Sequence, residues 1–422
     1  MKMIDLSISS KEKQYLRDLA KKQLEYSMLP IMREREERWY KHNDLQGDIP
    51  MIHFETWTCE QDLLPPLQCE SQAARDIELQ LYRAVVNHEM IDDDRVVPSW
   101  YTIYWRTRFE LFNLKVEREH SKDSSGREVG HKFLHPIKDL KEDLHLLKPT
   151  MYQLDREGTL KWKSFVEDII GDILPVKVLM PPPGICLTQN VVHLMGMENM
   201  FYSMFDYPDE FHQFMQRIIE DHIGFLRWME KEELTSLNNG NQHVPQGTFG
   251  FTKDLPRDGY TGEGSVSTSH IWGYLDSQET VGVSPEMFGE FFYPYYLEGA
   301  KQYGLVNYGC CEPVHTIWED YISKLPNLRK VSISPWCDEE YMGEALKGSN
   351  VIYHRKPSPN FVGVGKELDE EGFKEHILKT IRCAKGCKLE FSFRDVYNLE
   401  GNPDKPRRAV QIVRELIDKE WK

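Results

Sequence analysis

The sequence has 422 residues, with 52 Lys and Arg against 68 Asp and Glu, so its formal net charge is −16. An acidic surface repels phosphate backbones and anionic lipid headgroups, which argues against nucleic-acid and membrane partners. With 40% hydrophobic and 12% aromatic residues, the chain can bury a large core, which excludes wholesale disorder.

The opening residues MKMIDLSISSKEKQYL carry no apolar stretch of signal-peptide length, and no window nears 18 uninterrupted apolar residues, so a soluble, cytoplasmic protein is expected. Eight cysteines are too sparse for a disulfide scaffold and are expected as thiols. Ser9 and Glu12 have capping-box spacing, and Tyr15, Leu16, Leu19, Leu24 and Met28 recur at helical intervals up to Pro30. A first strand is predicted around Ile49–Thr56 and a helix over Ala73–Met90, with a polar turn at Ser121–Glu128. Leu160–Ile170 reads as helix and Val176–Met180 as strand, ended by the PPPG at 181–184. After a long helix (Asp209–Glu233), the Gly-rich stretch Ser236–Ser269 reads as a functional lid or an insertion.

Strand and helix then alternate. Strands are predicted at Ile271–Leu275, Leu305–Cys310, Lys330–Ser334, Asn350–His354 and Lys388–Phe393, and helices at Pro285–Tyr303, Val314–Leu325, Glu339–Lys347, Glu367–Ala384 and Lys405–Lys419. Such alternation implies a parallel sheet. No glycine fingerprint follows an early strand, because Gly363-Val364-Gly365-Lys366 is too tight for a phosphate loop. The expected fold is therefore α/β, a single (β/α)8 TIM barrel (46–422) with an N-terminal helical extension (1–45).

Barrel active sites lie at the carboxyl ends of the strands. That rule selects Asp276, Gln278 and Glu279, then Cys310, Cys311 and Glu312, then Trp336 and Cys337, then His354 and Arg355, and finally Arg394 and Asp395. Thiolate, imidazole and carboxylate are zinc ligands, so Cys310, Cys311, Cys337 and His354 form a candidate metal set; the alternative is that the cysteines are small packing residues. Cys383 and Cys387 lie on the opposite, stability face. His88-Glu89-Met90-Ile91-Asp92 has Asp where a zinc-protease helix needs its second His, so it reads as a solvated helix end.

The runs SPEMF (284–288), FYPYY (292–296) and YGCCE (308–312), with KFLHPIKDLKEDLHLL (132–147) and YLDSQ (274–278), resemble the uroporphyrinogen decarboxylase-like superfamily of single (β/α)8 barrels. The resemblance covers nearly the whole chain. The decarboxylase branch carries an arginine-rich N-terminal signature, whereas GDIPMIHFETW here has no arginine, and the −16 charge suits a polyanionic porphyrinogen poorly. The corrinoid-dependent methyltransferase branch has a His-x-Cys-Gly zinc motif at a middle strand end. Tyr308-Gly309-Cys310-Cys311 stands there, with Tyr308 in the place of the His, and Arg394 and Asp395 fall near the place of a last zinc cysteine.

What this resemblance implies is methyl transfer from a small methylated substrate, a methoxylated aromatic or a methylamine, to a separate corrinoid (cobalamin) protein, as in the methyltransferase-one component of an O- or N-demethylase system. A phenolate or amine leaves poorly unless protonated or bound to a Lewis acid. Glu312, Asp276 and Glu279 are the candidate catalytic carboxylates, and Tyr308, His270, Trp336 and Arg394 the candidate substrate contacts, with Arg394 suited to a substrate carboxylate. Zinc at the Cys310, Cys311, Cys337 and His354 set, a corrinoid supplied by the partner, and a homodimer are compatible with this reading. The alternatives are a decarboxylase of a small carboxylic acid and a non-catalytic binding barrel.

Overall fold

The computed structural model describes residues 6–122, 128–262 and 265–421. It is a mixed α/β structure around a seven-stranded parallel sheet. From one edge to the other the sheet runs Met51–Phe54, Leu389–Phe393, Ile352–Arg355, Leu328–Ile333, Leu305–Tyr308, Trp272–Leu275 and Gly184–Ile185. Two further strands, Tyr101–Tyr104 and Val176–Leu179, pair in parallel with each other. This is compatible with a TIM-type barrel, but the expected closed ring does not form: Met51–Phe54 and Tyr101–Tyr104 are not hydrogen-bonded to each other.

The seam has a physical cause. On the free side of Met51–Phe54, carboxylates stand where a neighbouring strand would. Asp94 Oδ2 accepts from the Ile52 N–H and Asp93 Oδ2 from the Phe54 N–H, both at 2.8 Å, while the Asp94 N–H donates to the Ile52 carbonyl at 2.9 Å. Both aspartates are fully buried, Asp94 against Arg38 and Arg414 and Asp93 against His53 and Asn87. The backbone groups of the strand are satisfied without a ladder.

The N-terminal helix Ser10–Ser27 has the predicted capping box, with the Glu12 N–H donating to Ser9 Oγ and the Ser9 N–H to Glu12. It packs on the helix Gln72–Val86, and a second helix, Pro30–Asn43, follows. Three stretches differ from expectation. The helix predicted over 285–303 is broken at Phe292, because Pro294 removes a backbone donor, giving Pro285–Phe291 and Tyr293–Ala300. The helix predicted over 314–325 is reduced to two single 3₁₀ turns, since Val314, Thr316, Ile317, Trp318, Tyr321 and Ile322 are weak helix formers. The strand Val176–Leu179 ends before the PPPG as predicted, but an unpredicted short strand, Gly184–Ile185, follows it and joins the main sheet beside Tyr274–Leu275. The polar turn at 121–128 lies mostly outside the described residues.

Among the described residues of 236–269, the centre is not a lid: a hairpin, His243–Val244 with Thr248–Phe249, fills the sheet interior. Asn307 Nδ2 donates to the Pro245 carbonyl at 2.7 Å, Ser392 Oγ to the Gly247 carbonyl at 2.7 Å, and Lys330 Nζ to Thr248 Oγ1 at 2.6 Å. Beneath it, Lys330 and Glu390 form an ion pair at 2.6 Å with no solvent exposure. Among the described residues no helix is long and apolar enough to cross a membrane.

Candidate active site

The strands of the main sheet run parallel, so their carboxyl ends share one face. The strand Trp272–Leu275 leads into Asp276 and Ser277, and Leu305–Tyr308 into Gly309. Gly309 has φ +94°, a conformation that side-chain-bearing residues rarely adopt. The turn carries Cys310, Cys311 and Glu312 back over the strand ends. Glu312 is buried, and its two oxygens accept from the Ser277 N–H at 2.9 Å and the Cys310 N–H at 2.7 Å. One carboxylate thereby fixes both turns.

Asp276 is 4% exposed. Its Oδ2 accepts from the Tyr274 hydroxyl at 2.6 Å, while Oδ1 is buried without a hydrogen-bond partner among the described residues. Burial, and next the charge of Glu312, push its pKa up to about 8. Burial also raises Glu312, but its backbone N–H donors favour the ionised form and oppose the rise. Burial favours the protonated form of both carboxyls, and Asp276, which has no backbone N–H donors opposing the rise, is the better place for a proton. Glu279, accepting from Thr188 Oγ1 at 2.7 Å, adds a negative charge that raises both. Beside Glu312, Val281, Val283, Phe288, Pro313 and Ile317 help line an apolar cavity of about 230 Å³.

A cationic group completes the face. Arg394 follows the strand Leu389–Phe393, and its Nε donates to Glu55 Oε2 at 2.9 Å. Nη1 of Arg394 is buried with no hydrogen-bond partner among the described residues, a donor left open in the site. Burial alone would raise Glu55, but its hydrogen bond with His243 and the Arg394 charge outweigh that and hold it well below the usual carboxylate range. The Arg394 charge also acts on Cys310 and Cys311. Lys356 Nζ, buried, donates to the Gln246 carbonyl at 2.6 Å; burial, then the Arg394 charge, lower its pKa to about 7.

The sequence-predicted residues divide into two groups. Asp276, Glu279, Cys310, Cys311, Glu312 and Arg394 come together on this face, the Cys310 and Cys311 sulfurs 3.6 Å apart. Their shared hydrogen bond pushes the Cys310 thiol up and the Cys311 thiol down. Tyr308 is not an open substrate wall: it is fully buried, its hydroxyl 2.5 Å from Ser277 Oγ. His270 lies at the amino end of the strand Trp272–Leu275, away from Asp276, where its Nδ1 accepts from the Arg257 N–H. Trp336 is on the correct face but 66% exposed. Arg355 turns to the helix layer, bonding the Ile333 and Ser334 carbonyls and Glu339.

The candidate zinc set is not gathered. Cys337 packs its thiol against the Glu312 carbonyl and Ser334 Oγ, whereas His354 is buried in the sheet interior, with Nε2 2.7 Å from Ser392 Oγ. Among the described residues no three His, Cys, Asp or Glu side chains are grouped to hold a metal ion. The residues present therefore do not fit the zinc centre that the family resemblance implies.

Glu55, Cys186, Tyr274 and Lys356 belong to the site but were not selected from sequence. Glu55 and Lys356 directly follow the observed strands Met51–Phe54 and Ile352–Arg355, so the strand-end rule finds them once those strand ends are placed correctly. Cys186 follows the short strand hidden behind the PPPG, and its thiol is raised by burial and by the adjacent Asp276.

No protein-family model matches the sequence, and no curated protein matches it significantly. Among solved structures, a methyltransferase from Methanosarcina mazei superposes with a TM-score of 0.51 at 13% sequence identity, covering 91% of this chain and 99% of that one. The likeness is one of fold.

Proposed function

We propose that the protein is a methyltransferase that demethylates a small methylated acid, of the methoxylated aromatic type, and passes the methyl group to a partner corrinoid protein. The observation that carries this reading is Asp276: a buried carboxyl at a strand end, its pKa raised to about 8 by burial and the Glu312 charge, with Oδ1 lacking a hydrogen-bond partner among the described residues. Methyl transfer from oxygen or nitrogen needs a proton at the leaving atom, and a carboxyl with a pKa of about 8 keeps one available at pH 7. The charge of Glu312 helps raise that pKa, and its two oxygens hold the two turns in place. The unpartnered Nη1 of Arg394 suits a substrate carboxylate. This favours a methoxylated aromatic acid over a methylamine.

The corrinoid of the partner supplies the nucleophile that accepts the methyl group; this chain binds, orients and protonates. The docking of such a partner is supported by the rim of the face, where Trp57, Trp336 and Tyr397, each in a segment following a sheet strand, are more than half exposed. A methyltransferase of similar fold agrees with the reading without carrying it. The test is incubation with methoxybenzoates and a reduced corrinoid protein, followed by the corrinoid absorbance and by release of the hydroxybenzoate. Absence of both with every methoxybenzoate and methylamine offered overturns the proposal.

The same pairing of a carboxylate anchor with a proton donor would also serve decarboxylation of a small acid, with Asp276 protonating the carbanion. That second reading requires carbon dioxide release without any corrinoid, which the same incubations measure.

A further inference from the structure

Beside the catalytic face, a half-open cleft of about 390 Å³ lies at the seam of the sheet, where its His243 reaches Glu55, the partner of Arg394. Its walls come from the helix Gln72–Val86, the segment 95–104 and the interior hairpin. No Asp or Glu lines it, although the chain carries a net charge of −16, whereas Arg83 and Arg95 both do. Arg83 is already held by Glu60 in a two-pronged pair at 2.6 Å. Arg95 donates from Nη1 to Asn87 Oδ1 at 2.7 Å and makes no ion pair among the described residues, so the rest of its fork remains available to a ligand.

The other walls are flat and polar in patches. Trp100 is pinned by donation from Nε1 to Thr102 Oγ1 at 3.0 Å, and Tyr104 is 45% exposed at the opening. Gln242 accepts the Gly240 N–H through Oε1, which leaves its amide donors for a ligand. Just behind, Lys177 sits over the Trp100 ring, 4.0 Å from its centroid, adding positive charge. A cleft of this size suits one small ligand. Planar walls, a guanidinium whose nearest carboxylate, Asp93, is buried behind Asn87, and no acidic lining select a flat anion.

We propose that this cleft is a second ligand site, separate from the Asp276 and Arg394 face, and that it takes a planar aromatic anion such as an aryl carboxylate. The experiment is calorimetric titration of the full chain with benzoate, with benzyl alcohol as the uncharged control, on the wild type, on Arg394→Met, and on Arg95→Met and Tyr104→Ala each made in the Arg394→Met background. Benzoate is expected to bind the wild type and Arg394→Met, to bind the two double variants roughly 10-fold or more weakly than Arg394→Met, and benzyl alcohol not to bind. Circular dichroism confirms folding; Tyr104, at the exposed opening, decides the matter if Arg95→Met does not fold. Loss of binding in Arg394→Met, unchanged binding on adding Tyr104→Ala to it, or no wild-type binding overturns the proposal. Because Arg394→Met removes the carboxylate anchor of the catalytic face, the cleft is read by itself, and failure of the methyltransferase reading leaves these outcomes unchanged.

Discussion

Asp276 and Glu312 form a unit in which one carboxyl is kept protonated by the other's charge and by burial. Activity that depends on the Asp276 proton is expected to fall as pH rises through about 8. Asp276→Asn should lower kcat by about 10²–10⁴-fold and remove that alkaline limb, read from a pH–rate profile. Glu312→Gln removes the like charge, so the alkaline limb should move to lower pH; because it leaves a backbone N–H facing an amide donor, the melting transition should also show a loss of about 1–3 kcal/mol. Stability carries the same sign. A carboxyl whose folded pKa is raised contributes stability that is full below its unfolded value and is lost as pH rises through the folded value, here between about 4 and about 8. The stability of Asp276→Asn should be flatter over that window in urea titrations. The strand-end rule makes Asp276, Glu312 and Arg394 legible in the sequence. Glu55 satisfies the same rule, but its partner Arg394 lies 339 residues away, and no local pattern announces such a pair. His354 and Cys337 show the limit of residue type as a guide: both stand at strand ends, yet one points into the sheet interior and the other packs under Glu312.

Among the elements, the hairpin His243–Phe249 is the least legible, because a Gly-rich polar stretch reads as loop whether it covers a site or fills a core. What decides its place is the inward row of the sheet, where Asn307, Lys330, His354, Glu390 and Ser392 are polar and fully buried. Such a row needs partners for its donors, and the hairpin's carbonyls and Thr248 supply them. The regular strands and helices after residue 270 were readable because alternation of apolar runs is a local signal, whereas the break at Phe292 and the lost helix at 314–325 depend on proline and weak propensities within otherwise periodic stretches. Lys330→Met is expected to destabilise the protein by about 3–5 kcal/mol, measured by urea unfolding, because it leaves Glu390 buried without its closest counter-charge.

For the whole molecule, the parallel sheet collects catalytic candidates and exposed aromatic residues on one face, and the proposed function assigns the buried carboxylates to the substrate and the exposed rim to the partner. Trp336→Ala, at a position 66% exposed, should raise the KM for the corrinoid protein and leave the KM for the methylated acid unchanged in steady-state assays. The sequence reading anticipated strands that gather their ends on one face, but not the seam. The run IDDDRVV resembles a solvated charge cluster, and only the three-dimensional placement reveals Asp93 and Asp94 as fully buried acceptors for the first strand. Those two carboxylates have a consequence for solubility. A strand with unpaired N–H groups is a template for edge-to-edge aggregation, and Asp93 and Asp94 occupy the donors that another chain would use. Their side chains act as a molecular hem, keeping an unclosed sheet from growing onto its neighbours.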